Sequence, residues 1–238
     1  MKKSLILAVL LMPLVSVTFA QTVWNGKADT DWYSNNTSAI EFTIITAEQL
    51  AGLAELVNSG NSFKGKTVKL GSNIMLNDIA NWQNWASHAP ANKWIPIGIK
   101  DSNSIFNGIF DGSGYVVNGV YINNTNNSQG LFRNVDSVGT IKNLGVIASY
   151  IKGSNFIGGL VGGMNFGMIN NSYFTGIVAG DSTVGGLVSG NLGIISNSYS
   201  ASVVTGNLWI GGLVGENRSK INNSYSINIV NGKNALVV

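Results

Sequence analysis

Short apolar runs broken by glycine and asparagine fill the second half of this chain, and they recur at a fixed spacing. Ile-Gly-Gly-Leu-Val-Gly begins at Ile157 and again at Ile210, with Val-Gly-Gly-Leu-Val-Ser at Val184 between them. Each is followed by Asn-Ser-Tyr, at Asn171–Tyr173, Asn197–Tyr199 and Asn223–Tyr225. Leu187 to Leu213 is 26 residues, Ile195 to Ile221 is 26, and Leu160 to Leu187 is 27. A period of this length marks one structural unit stacked on copies of itself, each unable to bury its apolar face alone. In one copy the runs are Gly186-Leu187-Val188, Ile194 through Tyr199, and Ser202-Val203-Val204. Strands of about five residues plus corners use up the period at three per copy. The prediction is an all-β chain, a single-stranded parallel β-helix with three short strands per coil of about 26 residues, rising about 4.8 Å per coil. A propeller blade needs about 40 residues or more, and a leucine-rich repeat needs L-x-x-L-x-L with a helix, so neither fits.

Stacking turns each repeated position into a column. Leu160, Leu187 and Leu213 are expected in the core, with Ile169, Ile195 and Ile221, and with Val178, Val204 and Val230. Asn171, Asn197 and Asn223 are expected to form an amide ladder, as stacked asparagines do in cross-β assemblies. The pairs Gly185-Gly186 and Gly211-Gly212 fall at a corner, where glycine most easily takes an unusual backbone. Tyr173, Tyr199 and Tyr225 form an aromatic column with two readings: an outward strip on which sugars stack, or a structural ladder that ties coil to coil.

The first half is less regular. Residues 21–45 form a lead-in with Trp24, Trp32, Tyr33 and Phe42, expected to contain short strands. Residues 46–60 carry a helix: Thr46 and Gln49 fit a capping box, Leu50, Leu53, Leu56 and Val57 make one apolar stripe, and Asn58-Ser59-Gly60 is a stop. The stripe needs a partner, and the open N-terminal end of the stack is the simplest one, so an N-terminal capping α-helix is expected. Residues 61–128 are read as the first irregular coils, interrupted by an insertion at 77–93. Residues 129–238 are the repeat coils, with Gly130-Leu131-Phe132 as a degenerate first copy. Trp82, Trp85 and Trp94 cluster around the insertion and are either a binding loop or a plug against the side of a coil.

Composition alters this picture at the N-terminus. Lys2 and Lys3, an apolar run from Ser4 to Val17 and the small residues Thr18 and Ala20 read as a signal peptide over residues 1–20, cleaved before Gln21. Its removal leaves 12 basic against 11 acidic residues, so the formal charge of +3 falls to +1. No nucleic-acid partner is expected from so neutral a chain with no basic cluster, and no nucleotide from a chain exported away from ATP. The absence of cysteine excludes disulfides and thiolate metal sites, and no cofactor or metal is expected. The expected location is the exterior by the Sec route: secreted, at the cell surface, or periplasmic.

The reactive chemistry on offer is thin. Gly60 to Thr67 matches the phosphate-loop pattern, but a helix precedes it and a strand follows, the reverse of what cradling phosphates needs. His88 is the only histidine, so neither a zinc pair nor a triad with its partner set is foreseen. The carboxylate pairs Asp29 with Asp31 and Asp101 with Asp111 are the candidates for glycoside chemistry, with Arg133 and Arg218 the only arginines.

Gly159-Leu160-Val161-Gly162 and Gly212-Leu213-Val214-Gly215, with the Ile-x-Asn-Ser-Tyr that follows each, resemble the GLUG motif family. Gly186-Leu187-Val188-Ser189 departs at its last position. The segment from Trp94-Ile95-Pro96-Ile97-Gly98 through Phe110-Asp111-Gly112 is similar to the one that commonly precedes such repeats. The resemblance implies a right-handed β-helix on an exported, adhesin-like bacterial protein. It also implies repeats that occur upstream of the catalytic domain in some IgA-cleaving metallopeptidases, and it supplies no catalytic residues. The function expected is that of a non-enzymatic scaffold. It would present Asn171, Asn197, Asn223, Tyr173, Tyr199 and Tyr225 to a glycan or an extracellular protein. The alternatives are a carbohydrate-active enzyme, a lyase or hydrolase, and the repeat module of a larger exported protein. Gly232 to Leu236 aligns with Gly206 to Ile210, and Val237-Val238 stand where the next Gly-Gly is due. This break in the repeat predicts end-to-end self-association through the C-terminal coil or a missing C-terminal part.

Overall fold

A computed structural model describes residues 22–98 and 105–232. The chain is a parallel β-solenoid of about seven turns with about 26 residues per turn. The expected signal peptide, Asp101 and the broken copy beyond Gly232 lie outside the described residues.

Each repeat coil carries four strands, one more than the apolar runs suggest. One coil comprises Met168–Asn170, Tyr173–Ala179, Ser182–Gly185 and Val188–Asn191. The run from Ile194 to Tyr199 is split at Asn197, which takes a left-handed φ of 50° and starts a new strand direction. The Val-Gly-Gly-Leu-Val run is split at its glycines, with Ser182–Gly185 on one side and Val188–Asn191 on the other. The strands accordingly stack into four parallel sheets, of seven, eight, three and three strands. In the seven-stranded sheet Phe42, Val68, Phe110, Ile141, Ile169, Ile195 and Ile221 occupy one inward column across all its rungs.

The three core columns read from the period are inside. Leu160, Leu187, Ile169, Ile195, Val178 and Val204 are fully buried, and Leu213, Ile221 and Val230 pack against them on the last described coil. Each such side chain contributes about 1.5–3 kcal/mol on leaving water, so the columns are the main driving force for stacking. Leu131 and Phe132 of the degenerate copy are also fully buried, and Phe132 bridges Ile97 and Val161 in the coils on either side.

The motif glycines have a different reason from the one expected. None of Gly158, Gly159, Gly185, Gly186, Gly211 or Gly212 has positive φ; that conformation falls to Asn171, Asn197, Asn223, Phe156, Thr183 and Trp209. The glycines are there for close approach. A Cβ at Gly185 would enter the Val188 carbonyl and crowd the Gly215 nitrogen of the next coil, and one at Gly159 would enter the Phe174 ring.

At the N-terminal end the helix Ala47–Asn58 follows the strand Glu41–Ile44 and precedes Thr67–Leu70, its neighbour in the seven-stranded sheet. It thus fills the place that the remaining strands of a coil would take. Its Leu50, Leu53 and Val57 are buried in the solenoid core. Thr46 Oγ1 accepts from the Gln49 N–H at 3.3 Å, and Gln49 Oε1 accepts from the Ile45 N–H at 2.8 Å, one residue earlier than in the usual reciprocal box. The lead-in differs from the short strands expected: among its described residues only Glu41–Ile44 is a strand, and Asp31–Ser34 is one helical turn. That turn places Trp32 and Tyr33 against Phe42 and Phe63, and the aromatic packing outweighs the local strand preference.

Candidate functional site

The Asn-Ser-Tyr triplet sits where the seven-stranded sheet turns into the eight-stranded one, and its three residues point three ways. The asparagine takes the left-handed turn, with φ of 47° at Asn171, 50° at Asn197 and 46° at Asn223, and its side chain is exposed. Asparagine and glycine bear this conformation best. The serine points inward. The Ser172 N–H donates to Ser198 Oγ at 3.2 Å and the Ser198 N–H to Ser224 Oγ at 3.1 Å, while each hydroxyl donates to the carbonyl two residues before it. The tyrosine opens the next strand on its outer face.

The tyrosine column is both outward and self-stacked. Tyr173 and Tyr199 have ring centroids 4.8 Å apart and planes within 2°; Tyr199 and Tyr225 are 5.2 Å apart and within 5°. The rings therefore cover each other's faces. What the column offers laterally is ring edge and hydroxyl, with Tyr225 54% exposed at the last described rung. The Tyr173 ring in turn lies over Gly145, its register partner one coil below, where a Cβ would meet Cζ of the ring. Burial and then the two flanking phenols raise the Tyr199 pKa above the usual tyrosine value.

Beside the rings runs the outer amide column. It starts one coil earlier than the triplet suggests, because Asn143 also has a left-handed φ, of 53°. The Asn171 amide donates to Asn143 Oδ1 at 2.9 Å and the Asn223 amide to Asn197 Oδ1 at 3.5 Å, but the Asn197 amide turns to Asn170 Oδ1 at 3.0 Å. The ladder is real but staggered at one rung. Asn143 was legible as Ile141-x-Asn143 in line with Ile169-x-Asn171.

Outward positions on the same strands are Thr175, Ile177 and Ala179, then Ala201, Val203 and Thr205, in strict alternation with buried neighbours. No charged residue occurs in Tyr173–Ala179, Tyr199–Gly206 or Tyr225–Gly232. The face is a neutral strip: phenols on one border, aliphatic Ile177, Val203 and Ile229 along the middle, and a floor of Thr175 and Ala201 between.

The three tryptophans of the proposed loop do not come together. Trp85 is buried against Tyr121 and Tyr150 on the outside of the eight-stranded sheet, with Trp82, Ile79 and Ile177 packed around it. The insertion is thus a plug over the lower part of the neutral strip. Trp94 is buried elsewhere, in the main core and beside Trp24, with its indole N–H donating to the Leu131 carbonyl at 3.1 Å.

A second amide ladder was missed in the sequence. Asn165, Asn191 and Asn217 recur every 26 residues inside a corner, with Asn165 donating to Asn191 Oδ1 at 2.9 Å and Asn191 to Asn217 Oδ1 at 2.8 Å. Its period was visible; only its inward direction was not.

The reactive candidates are dispersed and occupied. Asp111 Oδ1 accepts from the Ser113 N–H at 2.9 Å and the Asn143 amide at 3.0 Å, and Oδ2 pairs with Lys142 at 3.2 Å. Burial pushes this carboxyl up, but Asn143, Ser113 and Lys142 together outweigh it and hold it below its ordinary value. Asp29 Oδ1 accepts from the Asp31 N–H. Lys66 of the phosphate-loop pattern donates to the Thr37 and Ala39 carbonyls at 2.8 and 2.6 Å. His88 Nδ1 lies 3.0 Å from the Ser87 hydroxyl. Among the described residues no three His, Cys, Asp or Glu side chains converge as a metal site.

No protein-family model matches the chain. Halomucin of Haloquadratum walsbyi is 31% identical over 180 residues, which is 73% of this chain and 2% of that protein. The "Putative Gly-rich membrane protein" of Evansella cellulosilytica is 37% identical over 81 residues, 33% of this chain and 9% of its own. The chain thus spans less than a tenth of either relative. Among solved structures, a "putative immunoglobulin A1 protease" from Bacteroides ovatus superposes with a TM-score of 0.56, covering 81% of this chain and 67% of that one at 17% identity, a likeness of fold alone.

Proposed function

We propose that this protein is an exported, non-enzymatic scaffold whose neutral strip and its bordering Asn and Tyr rows bind an extended, uncharged, repetitive polymer, a surface glycan or an extracellular protein. The observation that carries this is the repetition of one contact unit, phenol edge, amide and aliphatic ridge, on successive coils. A ligand that repeats along the solenoid axis meets the same weak contact several times. Linked weak contacts gain affinity through effective concentration and not through any single strong site. Because the rings cover one another, the contact is made to edges and hydroxyls. The absence of charge on the strip favours a neutral ligand, since an ion there would lose hydration without a partner.

The basic n-region and apolar run at the N-terminus support export, as do the names of the two relatives, a halomucin and a membrane protein. The Gly-Leu-Val-Gly cores support membership of the GLUG repeat group. The far greater length of both relatives supports a second reading, in which this solenoid is a repeat module of the kind that larger exported proteins carry in series.

An array of immobilised glycans and matrix proteins, probed with the signal-free chain, tests the proposal. The expected result is retention on a neutral polymer and progressive loss as the polymer is shortened to its monomer. Retention on no member, or equal affinity for monomer and polymer, overturns it.

A further inference from the structure

A cavity outside the strip lies where the lead-in meets the capping helix at the N-terminal end. The lead-in crosses the capping helix there and is fastened on both sides. The Trp24 N–H donates to the Met75 carbonyl at 2.9 Å, Asn92 donates to the Trp24 carbonyl at 2.7 Å, and the Asp29 N–H donates to the Glu48 carbonyl at 2.8 Å. The Asp29 carbonyl lies so close to Gly52 that any Cβ there would collide with it. Beside this crossing, Trp24, Gly26 and Ala28 of the lead-in and Ala51, Ala54 and Glu55 of the helix line a cavity of about 500 Å³, within the range usual for small-molecule sites.

Its lining has a distinct chemistry. Trp24 and Trp94 meet edge to face, with centroids 6.0 Å apart and planes at 65°, and so form an aromatic corner. Both indole N–H groups are spent on backbone, Trp24 on the Lys27 carbonyl at 2.6 Å and Trp94 on that of Leu131. The rings are thereby fixed and carry no donor for a ligand. Ala28, Ala51 and Ala54 supply small apolar walls. The single charged lining residue is Glu55, which is exposed and has no side-chain hydrogen bond or ion pair among the described residues.

We infer that this cavity binds an alkylated ammonium ion. Aromatic rings attract cations through the ring quadrupole, at exposed as well as buried sites. A carboxylate at the rim supplies the counter-charge, and alanine walls leave room for N-methyl groups. The other polar side chains of the lining are Ser59 and Asn58, and the Asn58 amide already donates to the Pro96 carbonyl at 3.2 Å while its oxygen accepts from the Gly98 N–H at 2.7 Å, which leaves fewer convergent groups than a sugar needs. Lys27 and Lys93 are the nearby basic residues in sequence; both are exposed and neither lines the cavity. The same headgroup chemistry occurs in free choline and in phosphatidylcholine.

Titration calorimetry with tetramethylammonium, choline and the uncharged isostere 3,3-dimethylbutanol tests this on the signal-free chain. Expected are saturable binding of both cations and at least tenfold weaker binding of the isostere. Glu55→Gln keeps a good helix former at an exposed site and is expected to weaken choline at least fivefold. Ala54→Met, which fills the cavity, is expected to abolish binding, and circular dichroism reports whether each variant is folded. Sedimentation with phosphatidylcholine vesicles separates the sources: binding to free choline alone assigns a soluble cation, and binding to both assigns the headgroup. Equal affinity for choline and its isostere, undiminished binding by folded Glu55→Gln, or no binding of any cation overturns the inference.

Discussion

The Asn-Ser-Tyr triplet shows how much of one residue's role is a matter of direction. Its period was plain in the sequence, and so were the candidate columns. Direction was not, because corners reset strand alternation, and the left-handed turn at each asparagine is such a corner. That conformation costs most residues about 1–2 kcal/mol, so Asn197→Ala should lower stability by about 1 kcal/mol more than Asn197→Gly in urea unfolding. Stacking gives a second contrast. Tyr199 is sandwiched between two rings and Tyr225 has one neighbour, with each aromatic pair worth about 0.5–1.5 kcal/mol beyond area. Tyr199→Ala is therefore expected to cost more than Tyr225→Ala, by at least one such contact, in paired thermal melts. Equal losses would mean that the rings do not couple.

At the scale of elements, the helix and the core columns were legible because each rests on a local rule, the capping signature and the apolar spacing. The fourth strand was not, because it depends on where the neighbouring coil sits. Glycine at the Ile-Gly-Gly corner is required by neighbouring atoms, first the Val carbonyl three residues on in the same coil and then the backbone one rung away, not by its own φ. This separates two kinds of glycine. Gly185→Ala drives a Cβ into backbone atoms, and a loss of about 3 kcal/mol is expected, at the upper end for overpacking. Gly114 has φ of +83° but nothing within 4 Å of a Cβ, so Gly114→Ala should cost only about 1 kcal/mol, the conformational penalty alone. Chemical denaturation of the two variants side by side measures the difference. The inward Asn165 ladder was missed for a similar reason: an asparagine in a strand gives no sign of whether its amide meets water or another amide.

For the whole molecule, the linked columns make stability depend on pH at both extremes. Asp111 is held below its ordinary value of 3.8. Its contribution is therefore present above that value and is lost as pH falls below it, through the folded pKa, as the unfolded chain takes up the proton first. Tyr199 and Tyr150 are raised above 10.0, each by burial first and then by neighbouring phenols. Their contribution is complete below pH 10 and declines as pH rises above it, since ionisation favours the unfolded chain. Thermal melts from pH 2 to pH 12 should show a plateau with an acid limb weakened in Asp111→Asn and an alkaline limb weakened in Tyr199→Phe.

A stiff stack with a neutral, repeated face is a scaffold if the number of rungs, and not any single residue, sets its affinity. The direct test is the dissociation rate from the polymer found on the array, for chains with zero, one, two and three rungs altered. Each altered rung carries Tyr→Phe with Asn→Gly at positions 173 and 171, 199 and 197, or 225 and 223. These changes keep the ring stack and the left-handed turns while removing the hydroxyl and amide rows. The account predicts a dissociation rate that rises multiplicatively with each altered rung. A rate unchanged by all three, in a chain that melts as the parent does, would contradict it.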